Sequence, residues 1–187
     1  MSEFVIAAVV YADGVYPDRA IAQAIDPLRD SGLPLAGALQ VEPVARGRHP
    51  CDMLLEDLAS GQVHAIAEDR GSQAQGCRLD VGLLTEIGEA VLTSVRNNAP
   101  RLLVVNKFGR IEADGGGLRD AIGEAVERQI PVVVGVPARN LDQWRAFAGP
   151  HAVELPADAK AIARWLAACG LPVRGGANDD RATERYA

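Results

Sequence analysis

Aromatic residues are scarce, at 4% of the 187 positions, so a core must be built from Ala, Val, Leu and Ile. Cysteine is equally thin. Cys51, Cys77 and Cys169 are odd in number and widely spaced, which argues against a disulfide framework and for the cytoplasm. No CxxC pair occurs, so a zinc site is not expected. Long apolar runs are missing too. The longest, Phe4–Tyr11, is far too short to cross a bilayer, and it has neither a basic segment before it nor a cleavage-like site after it. It reads as a strand. Basic charge is in deficit: 19 Lys and Arg against 25 Asp and Glu leave a net charge of −6. That balance argues against nucleic-acid partners and against a membrane surface, both of which want a basic face.

What is present points to a globular fold. Hydrophobic residues at 48% exclude disorder of the whole chain, and the length suits one domain, placed at residues 1–173. Residues 174–187 are polar, rich in Gly, Asp and Arg and without periodicity, so a disordered tail is expected there. Phe4–Val10 is a near-continuous apolar run, as in a strand covered on both faces. A turn at Tyr11–Pro17 follows, then a helix to about Ser31, stopped by Gly32 and kinked or broken at Pro27. Leu35–Val41 is a second strand. Met53–Leu58 and Gln62–Ala67 are either a hairpin around Ser60-Gly61 or, for the first half, a short helix. Asp80 is placed as an N-cap, with Leu84, Ile87, Val91 and Val95 on one helical face. Strands are expected at Arg101–Asn106, Pro131–Val136 and Ala152–Leu155. Helices are expected at Leu118–Gln129, Leu141–Phe147 and Asp158–Cys169. Strands alternating with helices predict a three-layer α/β sandwich around a mainly parallel sheet of about five strands. Ligands then bind outside the carboxyl ends of the strands.

Three segments fall at that edge. The first, Ala12–Asp18, stands where a phosphate loop would stand, but G-x-x-x-x-G-K-[ST] is absent: Gly14 is its one glycine, and Asp13 and Asp18 would repel a phosphate. In the second, Arg70–Asp80, Arg70 and Arg78 suit an oxyanion through paired hydrogen bonds. Cys77, near a helix start, is a candidate soft ligand, with Cys51 either a second such ligand or a buried small hydrophobe. In the third, Asn106-Lys107 follows an apolar strand at the place where acidic residues hold magnesium in a nucleotide hydrolase, and Lys107 suits an anion better than a divalent metal. Glu112 ends this cluster, and Gly115-Gly116-Gly117 brings backbone N–H groups to the start of a helix. His49, His64 and His151 are scattered and form no triad with a serine. Trp144 and Trp165 sit at helical positions as packing residues.

The strings Cys51-Asp-Met-Leu-Leu-Glu-Asp-Leu58, Gly76-Cys-Arg-Leu-Asp80 and Asn106-Lys-Phe-Gly-Arg-Ile-Glu112 together resemble an uncharacterised bacterial family, over about residues 4–155. Its members are small cytoplasmic proteins often encoded beside molybdate ABC transporters. The family is in turn distantly similar to THEP-type nucleoside triphosphatases of the P-loop fold, whose matching strand end reads like Asp-Glu-Ile-Gly-x-Met-Glu. The resemblance implies a P-loop-like fold with a degenerate phosphate loop. It also implies a role in molybdenum or tungsten handling, with molybdate or tungstate as the ligand and no certain cofactor. On this reading the oxyanion site is made by Gly14, Arg70, Cys77, Arg78, Asn106, Lys107, Glu112, Gly115 and Gly116. Enzymatic hydrolysis is not expected. Two other readings stay open: a divergent nucleotide-binding protein or triphosphatase, and a regulatory protein that contacts a molybdate transporter or a molybdenum-cofactor or cluster assembly partner. A homodimer and a monomer fit the sequence equally.

Overall fold

The computed structural model describes residues 5–41, 53–68 and 78–173. The chain opens with β1 (Ile6–Tyr11), α1 (Asp18–Asp30) and β2 (Leu35–Val41). The hairpin reading is the one that holds: β3 (Leu54–Asp57) and β4 (Val63–Ala65) pair antiparallel. The short strands β5 (Ala67–Glu68) and β6 (Arg78–Leu79) then lead into α2 (Val81–Asn97). The remainder is β7 (Leu102–Val105), α3 (Arg110–Ala113), α4 (Arg119–Glu127), β8 (Val132–Pro137), α5 (Leu141–Ala148), β9 (Ala152–Pro156) and α6 (Ala159–Ala168).

The main sheet has seven strands in the order β4-β3-β2-β7-β8-β1-β9. The run β2-β7-β8-β1-β9 is parallel, and β3 and β4 extend it antiparallel. The expectation of about five strands therefore describes the parallel part alone. The hairpin adds an edge, because β3 continues the ladder of β2 from Ala38↔Asp57 to Val41↔Leu54.

The apolar strands read as double-sided because they are. Ile6 and Ala8 face one core, with α2 and α4, and Ala7 and Val9 face the other, with α1 and α6. The same alternation divides Leu103 and Val105 from Leu102 and Val104 in β7. Three layers result. Helix α2 begins where expected, with the Asp80 carboxylate accepting from Leu83 N–H at 2.9 Å. Helix α1 runs through Pro27 without a break and ends at Ser31, and Gly32 follows at φ +71°. None of the described helices is long and apolar enough to cross a membrane.

Candidate functional site

The carboxyl ends of the parallel strands bring together the turn after β1, the turn after β7 and the turn after β8. The first is exposed. Val15 N–H closes it on the Ala12 carbonyl at 3.1 Å, Gly14 adopts φ +82°, and Val15 and Tyr16 project into solvent at 51% and 69% exposure. Asp13 forms an ion pair with Arg139 from the turn after β8. Counting the phosphate-loop spacing from Ala12 puts Pro17 at the second glycine, Asp18 at the lysine and Arg19 at the Ser/Thr that would hold magnesium. In that count neither glycine is present, and the lysine position holds the opposite charge.

Asp18 is largely shielded from solvent. One carboxylate oxygen accepts from the Gln40 N–H at 3.3 Å. Burial pushes this carboxyl up to about 6, with the Gln40 bond and the charge of Lys107 pulling the other way. Tyr11, at the end of β1, is pushed up to about 12, first by burial and then by the neighbouring Asp18 charge, and Arg139 opposes both.

Two hydrogen bonds fix the turn after β7. Phe108 N–H donates to the Gly135 carbonyl at 2.7 Å, and Asn140 Nδ2 donates to the Phe108 carbonyl at 2.9 Å. The Phe108 ring is fully buried against Trp144 (5.2 Å between centroids, edge-on) and Phe147 (5.5 Å, stacked). Anchoring Phe108 in this way leaves Asn106 half-buried and Lys107 exposed at the strand end. Gly135, in β8 between β1 and β7, permits the approach of the two turns. A Cβ there would fall on the Asn106 carbonyl oxygen and lie 3.1 Å from Pro17 Cγ.

Glu112 is buried at 4% exposure and organises the segment that follows. Its Oε2 accepts from Gly109 N–H at 2.8 Å and its Oε1 from Leu118 N–H at 3.4 Å, so one carboxylate caps the starts of both α3 and α4. Burial raises its pKa, opposed first by the Gly109 N–H and further by other backbone N–H groups and the charge of Lys107. Gly117, at φ +59°, leaves room for this carboxylate, since a Cβ there would fall on Oε1.

The structure brings together only part of the set expected from sequence. Gly14, Asn106 and Lys107 lie at the carboxyl edge, and Glu112 sits beneath it, accepting from backbone N–H groups. The loop amides that were expected to serve a ligand have other roles: Gly115 N–H donates to the Glu112 carbonyl at 3.2 Å and Gly116 N–H to the Ile111 carbonyl at 2.8 Å. Arg70, Cys77 and Cys51 lie outside the described residues, and Arg78 is described only as the backbone start of β6. Among the described residues no group of three or more His, Cys, Asp or Glu could hold a metal. Three participants were missed. In the sequence Asp18 reads only as a repulsive charge. Gly135 and Tyr11 carry no local signal, because their parts depend on neighbours distant in sequence.

Comparison with known proteins supplies the remaining findings. Residues 6–165 match the family described as "Protein of unknown function (DUF2478)". The chain is 29% identical over 160 residues to Molybdenum import ATP-binding protein ModC 2 of Bradyrhizobium diazoefficiens, which covers 86% of this chain but 18% of that protein. The fold matches THEP1 from the hyperthermophile Aquifex aeolicus at a TM-score of 0.56 and 13% identity, over 81% of this chain and 90% of that one. It also matches a human cancer-related nucleoside triphosphatase at 0.58 and 16%, over 90% and 98%. The P-loop-like α/β fold is thereby established.

Proposed function

The chain belongs to this family of unknown function, and from that premise we propose that it binds a nucleotide at the carboxyl edge of its parallel sheet, through Lys107, without hydrolysing it at an enzymatic rate. One observation carries the reading. Lys107, in the turn after β7, is exposed and, among the described residues, closes no ion pair within 4.0 Å, so its ammonium is available to a ligand phosphate. The likeness to two proteins of triphosphatase fold and to an ATP-binding protein supports a nucleotide over other anions. The argument against turnover is chemical. Counted from Ala12, Asp18 stands at the lysine position and Arg19 at the magnesium-holding hydroxyl, and Asn106-Lys107 stand where acidic residues would hold magnesium.

A second reading keeps the same edge and changes the ligand to molybdate or tungstate. The name of the Bradyrhizobium relative favours it, and so does the resemblance to proteins encoded beside molybdate transporters. This chain spans less than a fifth of that relative, so a role in metal import, or as a regulatory partner of the importer, belongs to the proposal. So does placement in the cytoplasm.

Calorimetry on one sample with ATP, ADP and GTP, each with and without magnesium, and with molybdate, tungstate and sulfate separates these readings. ATP is expected to bind, and Lys107→Ala is expected to weaken it by about tenfold or more, the effect of losing one charged hydrogen-bonding partner. Tight molybdate binding with no nucleotide binding selects the second reading. Sustained ATP turnover abolished by Lys107→Ala overturns the non-hydrolysing one.

A further inference from the structure

Lysine is rare in this chain. Of its 19 Lys and Arg residues only Lys107 and Lys160 are lysines. An arginine presents a rigid planar fork, whereas a lysine ammonium is a point charge on a flexible stem. What the stem lies against therefore decides where the charge is held. For Lys107 that support is Gly109, which is buried. A Cβ built on Gly109 would lie 3.7 Å from Lys107 Cε and 3.9 Å from its Cδ. The last two methylenes of the lysine thus pass over the bare face of the glycine while the ammonium stays exposed.

Glu112 borders the same bare face. Its Oε2 would lie 3.3 Å from the Gly109 Cβ, and it accepts the Gly109 N–H at 2.8 Å. Gly109 has φ −93°, so no left-handed backbone calls for glycine here. The absent side chain instead makes room for the lysine stem and the carboxylate together. Glu112 does not take the ammonium for itself. Its two oxygens accept from the N–H groups of Gly109 and Leu118, and among the described residues it closes no ion pair with Lys107 within 4.0 Å. The backbone before Gly109 is tied down at Phe108, through Gly135 and Asn140. Glu112 is what holds Gly109 itself from the other side.

We propose that Glu112 is a positioning residue for Lys107: by holding Gly109 it fixes the surface on which the lysine stem lies, and so sets where the ammonium meets a ligand's phosphate. This deepens the nucleotide reading and rests on it for the identity of the ligand, but the seat of the lysine does not depend on any ligand. Two simpler roles for Glu112 make different predictions. A carboxylate acting only through its charge repels a bound anion, so neutralising it would strengthen binding. A carboxylate acting only as a helix cap would leave the lysine stem where it is.

The first arm of the test reads the lysine without ligand. In the full chain carrying isotope-labelled lysine, Lys107→Met identifies the Lys107 signal by its loss. The two ε protons of Lys107 are expected to be resolved from each other in the wild type, as in a held stem. They are expected to become equivalent in Glu112→Gln and in Gly109→Val, whose γ-carbons take the place of the stem. Lys160, at the start of α6, is the control and is expected not to change. Equivalent ε protons in the wild type, or resolved ones in either variant, overturn the proposal. The second arm measures ATP affinity by calorimetry. Glu112→Gln is expected to weaken ATP by about fivefold or more, and by less than about twofold once Lys107→Met is present. Unchanged or tighter binding in Glu112→Gln, or an equal loss in the Lys107→Met background, overturns the positioning role. If urea denaturation shows that Glu112→Gln does not fold, Gly109→Val takes its place in both arms with the same expectations. A wild-type protein that binds no ATP removes the nucleotide reading, and the lysine signals still decide the seat.

Discussion

Two carboxylates, half-buried Asp18 and buried Glu112, have opposite purposes. Asp18 is a local destabiliser when charged. Its folded pKa of about 6 lies above the ordinary 3.8, so between those values the folded state holds the proton more firmly than the unfolded state. Stability therefore falls as pH rises from about 4 to about 6, and the loss stays constant above that. Asp18→Asn removes the charge and keeps an oxygen for the Gln40 N–H. It is expected to stabilise the protein at pH 8 by about 1–3 kcal/mol and to change little at pH 3.5, as urea midpoints at the two values will show. Glu112 is the reverse case, because two backbone N–H groups depend on it. Glu112→Ala strands both donors in the interior and is expected to cost about 2–4 kcal/mol by urea denaturation. An unchanged midpoint would mean that water serves the donors just as well.

At the scale of elements, the site depends on how closely β7, β8 and the turn after β1 approach one another. Gly135→Ala puts a methyl group on the Asn106 carbonyl oxygen, and backbone cannot yield as a side-chain tip can. The expected cost is about 2–3 kcal/mol, together with weaker ATP binding, because Lys107 moves with Asn106. A variant with wild-type stability and wild-type affinity would show that the approach is loose. The sequence pattern located these elements well where burial is two-sided or periodic: the strands at Leu102–Val105 and Val132–Pro137, and α2 with its Asp80 cap. Pattern did not reveal the four-residue α3, since one turn is too short for periodicity to register. Its existence rests on a carboxylate that reaches back to Gly109, a capping contact that depends on the Gly117 bend beyond it.

For the whole molecule, the domain is proposed to end near residue 173. Leu171 is 5% exposed and packs with Ile162 and Leu166 in the core that includes α1 and α6. A chain ending at residue 173 is expected to unfold at the urea midpoint of the full chain, whereas one ending at residue 170 loses that contact and about 2 kcal/mol. Equal midpoints for the two truncations would move the boundary inward. The sequence alone determined the class of fold, because alternating double-sided strands and amphipathic helices admit few arrangements. It also determined that the string G-x-x-x-x-G-K-[ST] is absent. Only the tertiary structure decided which polar residues share the edge. Pro17 and Asn106 are 89 positions apart in the chain, and what brings them close is the strand order that sets β8 between β1 and β7 and the lack of a side chain at Gly135. Likewise, whether the N–H groups of the glycine loop were free for a ligand or already taken by the turn depended on where Glu112 folds, and that is a matter of packing.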